Sequence, residues 1–222
     1  RPASAHAACT DYSNAIRLYI VALYRRDVDM RPRPVHPRHR LGGTPKGRLV
    51  VVSLLAYAVA ALVMFAPWPG LVAAVEQACG APALDVRGSW TASEAQALLT
   101  ACGTAGRAAY LRLQWADTVY PGVTALALAL ATRWLWARLG RRGWLIAAPA
   151  LVAGVLDYAE NAVVWSLLLR WPDMPQPLAE IGGTVTTAKR VVATLAFVIP
   201  LGLVTGVIGQ RLRAGSHQGK SP

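Results

Sequence analysis

Charge is scarce in this sequence. Only 15% of its 222 residues are Asp, Glu, Lys or Arg, against about 25% in an ordinary soluble domain. With 55% hydrophobic residues gathered in long blocks, that shortage excludes a typical water-soluble globule and places the chain in the membrane class. Cysteine is nearly absent: Cys9, Cys79 and Cys102, with no C-x-x-C. A redox enzyme of the four-span disulfide-oxidase kind needs more than one cysteine pair, so that class is disfavoured. No histidine lies in an apolar block, since His6, His36, His39 and His217 are all in the tails; this argues against a zinc hydrolase. P-loop, dinucleotide fingerprint and G-x-S-x-G elbow are missing as well. Lysine occurs only at 46, 189 and 220, and the excess of Arg and Ala suggests a GC-rich bacterial genome.

What is present is a set of four apolar runs, about 49–66, 119–137, 144–169 and 184–209. Each is long enough, at about 1.5 Å per residue, to cross or nearly cross a hydrocarbon core of about 30 Å. The expected fold is therefore all-α: a four-transmembrane-helix bundle over 48–210, with a partly helical outer loop, 67–118, between spans one and two. A basic, disordered leader (1–47) and a basic tail (211–222) flank it. Residues 1–29 precede the first methionine, Met30, and read as an overextended reading frame or a cloning remnant; the alternative is an amphipathic helix on the membrane surface.

The net charge of +12 could suggest nucleic acid, but its distribution points to a membrane. Arg31, Arg33, Arg38, Arg40, Lys46 and Arg48 precede the first span. Arg138, Arg141 and Arg142 separate the second from the third, and Arg211, Arg213 and Lys220 follow the fourth. A four-span topology puts all of these on one side, with only Arg87, Arg107, Arg112 and Arg170 opposite. By the positive-inside asymmetry both termini are expected in the cytoplasm, in a bacterial cytoplasmic (inner) membrane, with basic tails on anionic headgroups. The expected partners are the bilayer, a lipid or small-molecule ligand and a second copy of the chain, and not nucleic acid.

In the outer loop, Cys79 and Cys102 share one compartment in which a disulfide can persist; the bond would contribute roughly 3 kcal/mol in the chain-entropy model. Thr91 and Glu94 have capping-box spacing ahead of an apolar run, which predicts a short helix. Gly103 and Gly106 are expected to end it. Arg107 and Tyr110 share a helix face, as do Asp117 and Tyr120.

The third span carries "LDYAENAVVW", residues 156–165. Helical phase places Ala153, Gly154, Asp157, Glu160 and Asn161 on one face. A central Asp costs about 2.5–3.5 kcal/mol in lipid, so two carboxyls facing lipid would cost ~5–7 kcal/mol. The stripe is therefore directed inward, and it needs a partner. Lys189 in the fourth span is that partner, at matching depth, while Arg190 points about 100° away and is expected to reach toward headgroups. Asp117 stands at the outer start of the second span. Gly202 and Gly206 form a G-x-x-x-G, a weak sign of close helix packing, and Pro200 is expected to kink the last span.

Together, "GTAGRAAY", "ADTVYP", "LDYAEN" and the late lysine resemble a family of uncharacterised four-span bacterial integral membrane proteins. The resemblance spans about 49–209. It implies architecture and candidate positions, and neither a reaction nor a cofactor.

Three readings follow. The first is a site open to the outer face, with Asp157 and Glu160 as acid and base, Lys189 holding a carboxylate ionised or binding an anionic headgroup, and Asp117, Asn161, Arg107, Tyr110 and Tyr120 around a lipid or small polar ligand. The second is a structural or interaction protein whose charges fix helix packing. The third is a small transporter or proton-relay component. Asp117, Asp157 and Glu160 are oxygen donors suited to Mg²⁺ or Ca²⁺, but Lys189 competes for them, so no metal ligand is assigned.

Overall fold

The computed structural model describes residues 45–67, 70–141 and 143–218. Most of the basic leader, Cys9, Arg142 and Lys220 lie outside them. The described residues are helical, without strands: α1 Pro45–Phe65, α2 Leu71–Cys79, a 3₁₀ turn Leu84–Val86, α3 Ala92–Ala101, α4 Gly103–Asp117, α5 Tyr120–Arg138, a 3₁₀ turn Leu145–Ala147, α6 Ala148–Leu169 and α7 Gln176–Gln218.

Among the described residues three helices are long and apolar enough to cross a membrane: Gly47–Phe65, Leu145–Leu169 and Gln176–Leu212. Their outward faces are those of lipid-exposed helices, with Val59, Leu62, Val155 and Leu201 each more than 60% exposed. α5, expected as the second span, falls outside this set. Its apolar run is diluted by Thr124, Thr132, Arg133 and Arg138. It nonetheless sits centrally, packed against α1, α6 and α7. Gly154 of α6 allows a close approach: a Cβ there would stand 2.7 Å from the Ala125 Cβ of α5.

α7 begins eight residues before the expected span. At 1.5 Å per residue its 43 residues run about 65 Å, roughly twice a hydrocarbon core. Two or more turns therefore project past the apolar segment on the side of the 67–118 loop. The helix continues through Pro200. Among the described residues nothing lies within 4 Å of a Cβ position on Gly202, while a Cβ on Gly206 would stand 3.6 Å from Leu139 Cδ1, so only the second glycine of the G-x-x-x-G meets a neighbour.

The loop is a packed unit rather than a connector. The larger hydrophobic core gathers Val75, Leu84, Trp90, Leu98, Leu99, Tyr110 and Leu113 from the loop with Val163, Val164 and Leu167 at the end of α6. The cluster among α5, α6 and α7 is smaller and built of Leu128 and alanines. Water drives burial in the loop, whereas helices in lipid associate without that force.

Cys79 and Cys102 are bonded, with Cα atoms 3.9 Å apart. α3 opens with the full capping box: Thr91 Oγ1 accepts from Glu94 N, and Glu94 accepts from Thr91 N at 2.7 Å. The break after α3 falls at Gly103, whose φ of 56° suits glycine. Gly106 does not break the helix; it lies inside α4, where a Cβ would stand 3.0 Å from the Cys79 sulfur. Its missing side chain lets α4 rest on the disulfide.

Candidate functional site

Helical phase delivers the α6 stripe as expected from its spacing. Glu160 is fully buried and Asn161 nearly so, while the Asp157 side chain keeps 21% exposure. From α7, Lys189 Nζ donates to Asp157 Oδ1 at 3.1 Å, to Glu160 Oε2, and to the backbone carbonyl of Asp85 at 3.2 Å. An ammonium has three N–H donors, and three acceptors take them. All three Lys189 donors are thus engaged within the protein, two of them on the carboxylates of α6.

Asp85 had no place in the sequence reading. It lies in the 3₁₀ turn of the loop, and no periodicity marks it. Its carboxylate accepts from Tyr110 Oη at 3.0 Å and from Gln114 Nε2 at 3.1 Å. Tyr110 Oη in turn accepts from Leu84 N at 2.8 Å. Tyr110 and Gln114 are fully buried, so α4 holds the turn rigidly over Lys189. Burial pushes the Asp85 carboxyl up against the opposing pull of Lys189. Burial, and then the Asp85 charge, hold Tyr110 well above the ordinary phenol range; it is a donor here, not an anion.

A second tie runs through Thr186, also absent from the expected set. Its hydroxyl contacts Glu160, accepts from Trp90 Nε1 at 2.8 Å and lies 3.0 Å from the Gly182 carbonyl. Segment 84–92 thus straps the first turns of α7. Gly182 and Gly183 permit this approach: a Cβ on Gly183 would stand 1.9 Å from the Trp90 carbonyl oxygen, and one on Gly182 would stand 2.4 Å from its indole. Ala92 N reaches Glu180 Oε1 at 3.2 Å. Arg190 lies against Gly88 of the strap rather than reaching free.

Asn161 Nδ2 donates to the Asp117 backbone carbonyl at 2.9 Å, and its nearby amide pulls the Asp117 carboxyl down slightly, against larger effects that raise it. Burial, and then the charges of Asp85 and Asp157, raise Asp117 to about 8. Asn161 Oδ1 is buried and has no hydrogen-bond partner among the described residues. Stability then depends on pH with a definite sign. The unfolded chain loses this proton near 3.8 and the folded chain near 8, so the folded state holds more protons in between. The contribution is full below pH 3.8 and is lost as pH rises through 8. Asp117→Asn removes the titrating carboxyl and should flatten the fall in unfolding midpoint between pH 5 and 8.5 in detergent. An unchanged slope would assign the titration elsewhere.

Arg107 is not brought to the cluster. It donates to the Leu99 carbonyl at 2.8 Å and covers the Trp171 ring at 5.1 Å. Tyr120 turns toward α1, with ring centroids 6.3 Å from Tyr57 and 5.5 Å from Phe65. It also lines a cavity of about 90 Å³ among α5, α6 and α7. Asp157 and Lys189 form one end of that cavity; Ala125, Ala150, Ala153, Gly154, Ala193 and Ala196 supply much of its wall. No group of three metal-ligating side chains occurs among the described residues.

No protein-family model, curated protein or solved structure matches this chain.

Proposed function

We propose that this chain is a four-span integral membrane protein of a bacterial cytoplasmic membrane that binds a lipid-like ligand in its outer half. α5 is the remaining span, the termini are cytoplasmic, and the loop carrying the disulfide is outside, as the basic asymmetry requires. The family resemblance belongs to the same reading. One observation carries it: a cavity walled by alanine and glycine ends on Asp157 and Lys189. Small side chains leave room for an alkyl or isoprenoid portion, and Asp157, the partly exposed carboxylate, accepts from a hydroxyl or amine head. Its volume of about 90 Å³ is below the ~150 Å³ that takes benzene. The enclosed part of a ligand is therefore a short chain end or one small branched unit.

The packing reading has its own support, because the three donors of Lys189 are all taken within the protein. The two readings separate by native mass spectrometry of the purified protein. Ligand binding predicts a bound amphiphile that is lost from Asp157→Asn while the protein stays folded. A wild-type protein carrying no mass beyond ordinary annular phospholipid favours packing alone.

A further inference from the structure

The loop side of the cluster is closed. Asp85 stands over Lys189 with its carboxylate tied to Tyr110 and Gln114, and Trp90 is tied to Thr186. Leu84, Trp90 and Tyr110 are buried beneath the loop surface, and the Cys79–Cys102 bond fixes the loop helices behind them. The cavity runs the other way. Along α6 it extends from Asp157 back to Ala150, and along α7 from Lys189 on to Phe197. These are two turns of helix, about 10 Å, inside the apolar segments.

On its side between α1 and α7 there is little helix packing. α1 packs on α5, and α5 on α6 and α7, but α1 and α7 do not pack along their lengths. The Tyr57 ring bridges the interval, with its centroid 6.4 Å from Phe197 and 6.3 Å from Tyr120. Phe197 and Tyr120 both line the cavity, and Phe197 is 38% exposed on a face with Val198 and Leu201. Across this interval the contact between α1 and α7 is made by the aromatic rings of Tyr57 and Phe197, at the edge of the surface that lipid covers. Side-chain rotation moves such rings on a fast timescale.

We infer that the cavity is entered sideways from the bilayer, between α1 and α7 past Tyr57 and Phe197, and that its occupant is an alkyl or isoprenyl chain already dissolved in the membrane. The strap over Asp85 and Trp90 excludes water-soluble ligands from the same cluster. This rests on the ligand-binding reading for its purpose, but not for its geometry.

The test uses the full chain in phosphatidylcholine vesicles and two photoreactive probes: hexadecanol carrying a diazirine, and a small charged diazirine that stays in water. Peptide mass spectrometry compares insertion at the cavity residues Ala153 and Ala193 with insertion at Leu201, which faces lipid. The apolar probe should label both cavity positions, and the aqueous probe neither. Ala193→Phe fills the wall and should lower labelling at Ala153 by about tenfold, which corresponds to about 1.4 kcal/mol of lost occupancy, with Leu201 unchanged. Phe197→Ala should raise it. Cavity labelling by the aqueous probe, or apolar labelling that ignores both variants, overturns the lateral route. The measurement needs no resident ligand: labelling as described without a co-purified amphiphile upholds the route and removes only the function.

Discussion

Lys189→Met should destabilise this protein more than any other single change at the cluster. Glu160 is fully buried, and without the ammonium its carboxylate loses its charge partner while Asp157 remains beside it. Breaking a buried pair from one side costs about 3–5 kcal/mol, because the survivor is left uncompensated. Against a typical total of about 5–15 kcal/mol, that is a large share. Adding Glu160→Gln removes the stranded charge and keeps the shape and the acceptor for Thr186. The double variant should therefore recover much of the loss. Unfolding midpoints in one detergent, for the two single variants and the pair, measure the coupling. Strict additivity would show that the contacts among Lys189, Asp157 and Glu160 do not govern stability.

Gly183→Ala comes second. The added Cβ would meet the Trp90 carbonyl oxygen at 1.9 Å, and backbone cannot swing aside as a side chain can. Overpacking of this kind costs about 1–3 kcal/mol. Loss of the Trp90–Thr186 bond adds about 1 kcal/mol. The strap must lift from α7, so trypsin should cut at Arg87 in the variant under conditions that leave the wild type whole. Gly202→Ala, which meets no atom within 4 Å, is the matched control and should behave as wild type. Equal resistance of all three proteins would mean that the strap does not depend on contact at Gly183.

Both predictions draw on features of unequal visibility in the sequence. The α6 stripe was legible because helical phase is a local property: three polar residues at spacings of three and four in an apolar run can share only one face. Lys189 followed from depth matching across antiparallel spans, and the capping box from a three-residue spacing. Asp85 was not legible. It sits in a three-residue turn without periodicity, and its role arises from a contact 104 positions away. Trp90 and Thr186 are likewise joined across 96 positions. The Gly182–Gly183 pair resembles ordinary membrane glycine until the strap is seen against it. Arg107 shows the converse error, since sharing a face with Tyr110 did not bring it to the same partners. The cover that segment 84–92 lays over the cluster was hidden for the same reason: the loop folds as a unit on the ends of α6 and α7, through contacts too distant in sequence for any spacing to reveal.

The most direct test of the central claim is the native mass of the Asp157→Asn variant, purified beside wild type from the same membranes. The variant is expected to remain folded, to keep the walls of its cavity, and to lack the carboxylate that holds the head of the ligand. The ligand-binding account predicts a discrete bound amphiphile in wild type and none in the folded variant. The same bound mass in both proteins, at equal occupancy, would contradict it.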